Sequence, residues 1–302
     1  MTAAPAESWS RDPQAARVLA DLLGLNPDRA RLAPVHGSQS ARAWSLDDSR
    51  TRCFIKTVAA SDKAMLDAER DGLARIAATG AVATPKVIGE GVLGYTAWLA
   101  LEWLDLHAPD RDGWARLGVQ MVQLHGELGE WHGLDRDNFL GATPQLNHPT
   151  ADWTTFFWNF RLLPQLEALE SCGQAIGQDR RDRLAARLTE DLRGHAPRPS
   201  LLHGDFWSGN VGMLASGEMV VYDPAVHYGD HECDLAMAAL FGGFEEAFFS
   251  AYRAHWPLAP GWQRRRLWYQ LYHLLNHAQL FGGHYLRGSL ALIDTLIADP
   301  ND

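Results

Sequence analysis

The chain has 302 residues, 46% of them hydrophobic, enough for one large domain or two lobes with proper cores. A net charge of -10, a pI near 5.7 and basic residues scattered without a patch leave no footprint for a nucleic-acid partner. Cys53, Cys172 and Cys233 are too few and too far apart for a disulfide framework. Residues 1 to 16 carry Glu7, Arg11 and Asp12 without an apolar core, and no run reaches the length of a membrane span, so the expectation is a cytoplasmic protein without membrane partners, and a monomer.

In chain order, the spacing of Val18, Leu19, Leu22 and Leu23 predicts a helix from Pro13 that ends at Gly24. Two β-like runs follow, Arg31 to Ser40 and Ala43 to Leu46, joined by a polar turn. Such a hairpin can offer backbone N–H groups to phosphates; Gly37 is its only glycine, and an ordinary hairpin fits these residues equally well. Arg52 to Lys56 reads as a strand ending in a lysine, the context of a lysine that binds nucleotide phosphates. In the next helix, Asp62 to Ala78, Glu69 stands within the apolar stripe of Leu66, Leu73 and Ile76. A carboxylate on a buried face needs a cation to offset its desolvation, and Lys56 is the candidate.

Two further strands are expected at Val82 to Gly91 and Ala97 to Leu104. The boundary between an N-terminal lobe, 1–104, and a C-terminal lobe, 105–302, is drawn where the second of these breaks into the mixed segment after Leu104. Glu102, Trp103 and Leu104 then form a hinge whose backbone groups suit adenine, although a plain strand end has the same look. From Arg111 the periodicity is helical: Trp114 to Leu128, Trp153 to Leu169, Arg180 to Leu192, Arg264 to Leu280 and Gly288 to Ile297. His125, on the apolar face of the first of these, reads as a satisfied core histidine. Asp234, at the start of another helix, reads as an acid that braces the loop described next.

That loop is His203-Gly204-Asp205-Phe206-Trp207-Ser208-Gly209-Asn210, followed by Met219 to Tyr222 and Asp223. It places a carboxylate, an amide five residues on, and a second carboxylate after a strand. Phosphoryl transfer uses such parts: Asp205 as base at the acceptor hydroxyl, Asn210 and Asp223 as ligands of Mg²⁺ on the ATP phosphates. Asp, Asn, Ser and Gly also make ordinary turns, so it is the combination and its spacing that carry the reading. A metallohydrolase with His203 and Asp205 as ligands is the other reading of the tripeptide, and no partner motif for it occurs elsewhere.

Taken with Tyr222 to Ala225, Tyr228 to Met237, Leu240 to Phe244 and Tyr272 to Gly283, this loop resembles the fructosamine kinase (ketosamine kinase) family, within the group built like aminoglycoside phosphotransferases. The resemblance covers nearly the whole chain. It implies an α+β, bilobal protein-kinase-like fold with a small β-rich N-terminal lobe and a larger, mostly helical C-terminal lobe. It also implies ATP with Mg²⁺, and phosphorylation of a sugar hydroxyl on a small-molecule or protein-bound ketosamine. By position it makes Asp205 the base, Asn210 and Asp223 the metal ligands, Lys56 and Glu69 the phosphate-positioning pair, and Glu102 to Leu104 the adenine hinge. The chain departs from the family at His36-Gly37-Ser38, where a Gly-Gly pair is usual, and at His231, where Arg is common.

On the acceptor side, the indole of Trp207 can stack on a sugar ring, and His277, one helical turn after His273, is a weaker candidate for substrate contact. Both also fit a packing role. An aminoglycoside or choline-like acceptor would use the same Asp205 machinery. A catalytically silent binding protein should have lost Asp205, Asn210 or Asp223, and all three are present.

Overall fold

The structure, a computed structural model, describes residues 9, 13–35, 41–171, 173 and 176–298. His36-Gly37-Ser38, the segment singled out for phosphate contact, lies outside the described residues. The described chain forms two compact units, 1–108 with 212–223, and 109–211 with 224–302.

The first unit opens with α1 (Pro13–Leu22), then β1 (Arg31–Val35), β2 (Arg42–Asp47), β3 (Arg52–Ala59), α2 (Lys63–Thr79), β4 (Val87–Leu93) and β5 (Thr96–Glu102). The five strands make one sheet, β1-β2-β3-β5-β4, with antiparallel pairing throughout. Alternating burial follows from the pleat: Trp44, Leu46, Cys53, Ile55, Trp98 and Ala100 pack with Leu19 of α1, whereas Val58, Leu99 and Leu101 pack with Leu66 and Leu73 of α2. The strand expected from Val82 begins only at Val87; Pro85 has no N–H to give a ladder, and Ala83 makes a single bridge to Val220 instead.

The second unit holds α3 (Arg111–His125), the hairpin β6 (Asn138–Leu140) and β7 (Thr143–Gln145), and α4 (Trp153–Phe157). A π-helical stretch, Trp158–Leu162, joins α4 to α5 (Leu163–Ser171), and α6 (Gln178–Asp191) and β8 (Ser200–Leu202) follow. The chain then returns to the first unit through β9 (Val211–Met213) and β10 (Met219–Val221). Paired backbone bonds between Met213 and His107, and the bond from Val221 N–H to Ala83 O, pin this hairpin there. The division drawn after Leu104 therefore differs from the observed units twice: the first runs on to residue 108, and it takes in Gly212 to Asp223. Pairings more than a hundred residues apart leave no local signal.

Beyond Asp223 come β11 (His227–Gly229), α7 (Glu232–Ala238), α8 (Glu246–His255), α9 (Trp262–Phe281) and α10 (Gly283–Ile297). The second unit's core gathers Trp153, Phe156, Phe157, Leu166, Leu184 and Leu188 around Trp268, Leu271 and Leu275 of α9, with Ile293 and Leu296 of α10. Burial of this aromatic and aliphatic surface is the main stabilising term, and it fixes α7, whose Asp234 bonds the Asp205 loop, against α9. Among the described residues no helix is long and apolar enough to cross a membrane.

Candidate active site

In the first unit, β3 carries Lys56 to a position where it is only 2% exposed. Its Nζ donates to Glu69 Oε1 of α2 at 2.7 Å and to Asp223 Oδ1 at 2.6 Å. Burial disfavours the Lys56 cation, yet the carboxylates of Asp223 and Glu69 outweigh it and its pKa is raised. Two carboxylates share that one cation. The more deeply buried, Glu69, has its carboxyl pushed up to about 7 by burial, with Lys56 opposing and Asp223 adding to the rise. Asp223 adopts φ of 56°, a left-handed backbone outside glycine.

β5 ends at Glu102, so Trp103 and Leu104 stand beyond the sheet pairing, half-buried. Glu102 N–H donates to Lys86 O at 2.8 Å. The Arg52 guanidinium lies 3.5 Å from the centre of the Trp103 ring, whose Nε1 donates to Asp105 at 2.9 Å. A cation over an indole and a donor on its edge hold this corner in one conformation.

In the second unit, Asp234 of α7 organises the Asp205 loop. Its two oxygens accept from the backbone N–H of His203 (2.7 Å) and of Gly204 (2.9 Å). A third bond comes from His125 Nε2 at 3.1 Å, and His125 Nδ1 accepts from the Tyr252 hydroxyl at 2.7 Å. A carboxylate only accepts, so the ring proton sits on Nε2. Burial alone would raise the Asp234 carboxyl; the hydrogen bond from His125 leads the influences that outweigh it and hold the carboxyl below its ordinary value. Ala225 N–H donates to His203 O at 2.8 Å, and a Cβ on Gly204, φ 82°, would stand 2.0 Å from Ala225 O. Only glycine fits there. Asn210 Nδ2 donates to Asp205 O (2.9 Å) and Oδ2 (3.0 Å), so the amide nitrogen is turned toward Asp205.

The family model described as fructosamine kinase matches residues 12–299. The chain belongs to the fructosamine kinase family. A relative described as a probable ketoamine kinase, from Synechocystis sp., is 40% identical over 253 residues, 83% of this chain and 85% of the relative. A crystal structure from Haemophilus somnus, described provisionally as a fructosamine-3-kinase, superimposes with a TM-score of 0.86 at 29% identity, covering 94% of this chain and 96% of that one. A thermostable mutant of an aminoglycoside phosphotransferase shares the fold, with a TM-score of 0.59 at 14% identity over 93% of this chain and 98% of that one. The protein is a kinase with an α+β, protein-kinase-like fold.

Within this fructosamine kinase family member, Trp207 is half-buried, and its indole lies so close over Gly209 that a Cβ there would meet it at 2.2 Å. The ring meets Phe241 edge-on at 6.4 Å, and Phe241 in turn lies 4.7 Å from the ring of His277. His277 Nδ1 bonds the backbone oxygen of His273 at 2.9 Å, and burial lowers its pKa. Trp207 and His277 thus share one aromatic cluster beside the Asp205 loop. Sequence reasoning placed Asp234 but not Tyr252, nor the bond of Lys56 to Asp223 across 167 residues.

Among the described residues of this kinase, one cluster has metal-like proximity: His195, Asp230 and Glu232 offer ligand atoms within 4.8 Å of one another. Its atoms are already engaged. Arg265 covers both oxygens of Glu232 at 2.7 Å, and Tyr269 and His195 both reach Asp230 Oδ2 at 2.6 Å. It is a buried ion-pair network, and neither His203 nor Asp205 belongs to it.

Proposed function

We propose that this kinase transfers the γ-phosphoryl group of ATP to a sugar hydroxyl of a ketoamine, a fructosamine- or ribulosamine-type adduct of an amine or of lysine. The observation that carries the phosphoryl-transfer part is Lys56, a buried cation held between Glu69 and Asp223. A fixed positive charge of this kind is suited to polyphosphate and has no role in an ordinary apolar core. The ketoamine part is supported by the relatives' descriptions and by the aromatic cluster of Trp207, Phe241 and His277 next to Asp205.

In the reaction, the acceptor oxygen forms a bond to the γ-phosphorus, the bond from that phosphorus to the bridging oxygen breaks, and ADP leaves. Asp205 takes the hydroxyl proton. Asn210 holds the Asp205 carboxylate in one rotamer, and Asp234 holds the backbone that carries it. Lys56, oriented by Glu69, binds phosphate oxygens, and the segment Glu102, Trp103 and Leu104 offers backbone groups to adenine. Asn210 and Asp223 would hold magnesium, since an amide and a carboxylate each supply the hard oxygen that it takes. When bound it would neutralise charge on the phosphates. A phosphate leaves more readily than a hydroxyl, so the product would decompose to release the amine, a first step of deglycation.

The test is a panel of acceptors with the purified protein and Mg-ATP: fructosyl-lysine and ribulosyl-lysine, against an aminoglycoside and choline. Phosphorylation of the glycated amines by the unaltered protein and its loss in Asp205→Asn, with ATP binding retained, is the expected result. Turnover confined to the aminoglycoside or choline would overturn the acceptor assignment.

A further inference from the structure

Among the described residues, two buried residues of α9 each keep a polar atom with no hydrogen-bond partner and no part in the chemistry above: His273 Nδ1 and Asn276 Oδ1. The two residues are 4% and 2% exposed. Spaced i, i+3 and i+4, His273, Asn276 and His277 share one face of the helix. At its His277 end that face meets groups already placed at the acceptor: the His277 ring lies 4.7 Å from that of Phe241, which meets Trp207 of the Asp205 loop edge-on.

A buried acceptor or donor left unpaired carries its full desolvation cost, and native cores seldom retain one without a use. The chemistry of the pair narrows that use. Burial, and then the neighbouring His277, push the His273 ring down to about 3, so it is neutral in ordinary buffers. A neutral imidazole and a carboxamide have no preference for phosphate or carboxylate. They pair with hydroxyl groups, which both donate and accept.

We propose that His273 and Asn276 are the specificity-determining residues of the acceptor subsite, taking hydrogen bonds with the hydroxyls of the sugar chain and so selecting a polyhydroxylated ketoamine. The proposal rests on the ketoamine kinase reading and adds to it which residues read the sugar. A site built to bond a hydroxyl rejects the analogue that lacks it, because its own polar groups then stay unpaired. A site that merely packs against the chain does not.

The experiment compares two acceptors of the same amine, a fructosyl adduct and an adduct whose sugar chain lacks hydroxyls, for the unaltered protein, Asn276→Leu and His273→Asn. Asn276→Leu should lower kcat/KM for the fructosyl adduct at least tenfold, change that for the deoxygenated adduct less than threefold, and leave the KM for ATP alone. Its Tm without substrate should hold or rise, since an unpaired buried oxygen has been removed, whereas a structural role would lower it. If Asn276→Leu does not fold, the same ratio of ratios is read from His273→Asn. Equal losses on both acceptors, or a lowered Tm with unchanged discrimination, overturn this proposal alone. Failure of the unaltered protein to phosphorylate any glycated amine overturns the ketoamine reading together with it.

Discussion

Asp234→Asn exchanges one atom and puts the loop assignment at risk. The native carboxylate accepts three bonds on two oxygens: His203 N–H at 2.7 Å and His125 Nε2 at 3.1 Å on one, Gly204 N–H at 2.9 Å on the other. The better orientation of an amide keeps its oxygen toward His203 and His125 and turns its NH₂ against the Gly204 N–H. One charge-assisted bond is lost, a buried donor is left facing another donor, and the two surviving bonds weaken. With about 1.5–3 kcal/mol for a bond to a charged group and about 1–3 kcal/mol for an orphaned donor, the cost is roughly 3–5 kcal/mol. Thermal denaturation should show Tm lower by on the order of 10 °C. Displacement of Asp205 by about 1 Å would cost kcat about 100-fold, with the KM for ATP nearly unchanged because Lys56 is untouched. The pH dependence has a definite sign. The Asp234 carboxyl is held below its ordinary 3.8, so its stabilising contribution is complete above 3.8 and is lost as pH falls through the lower folded value. The variant should therefore lose less of its remaining stability on acidification than the unaltered protein. A variant with kcat within threefold of normal and an unchanged Tm would falsify the idea that Asp234 positions the loop.

Lys56→Met should reduce kcat strongly, and Glu69→Gln less, because the glutamine still accepts a bond from Lys56. Since the Glu69 carboxyl is raised from 4.5 to about 7, the folded state takes up a proton between those values; its contribution to stability is lost as pH rises through about 7, while full pairing with Lys56 is reached only above it. The kcat/KM for ATP should then fall as pH drops below 7, and Glu69→Gln should flatten that limb; a limb of the same shape in the variant would assign it to another group. Trp207→Ala should raise the KM for the glycated amine about tenfold with the KM for ATP unmoved. An equal rise in both would return Trp207 to a packing role.

Some of this was legible in the sequence for identifiable reasons. Lys56 and Glu69 stood out because each conflicts with its local pattern, a lysine closing an apolar strand and a carboxylate within an apolar stripe, and the two conflicts cancel in one bond. The helices with strong periodicity, such as α3 and α9, were visible for the same reason that they are buried. What stayed hidden was non-local or unmarked. α8 begins at Glu246 after a residue whose side chain makes no capping bond, so nothing announces its start. β8 and β11 are three residues each, too short for a period-two pattern to register. His125 was expected to be a satisfied core histidine, and it is satisfied; which groups satisfy it, Asp234 and Tyr252, depends on helices more than a hundred residues away.

Among the described residues only Ser49 and Asp223 hold a positive φ without being glycine, and the two have different causes. Ser49 lies in the turn between β2 and β3, where Asp47 and Asp48 accept from the backbone N–H groups of Ser49, Arg50 and Thr51, so turn chemistry accounts for it. Asp223 has no such turn; its side chain runs to Lys56. A glycine would relieve the backbone there, just as an apolar residue at 276 would relieve an unpaired oxygen. Selection for stability alone would favour both changes. That the chain carries a strained residue bonded to Lys56 and an unpaired oxygen on α9 accords with the proposal that each is held for a partner that arrives with the substrates.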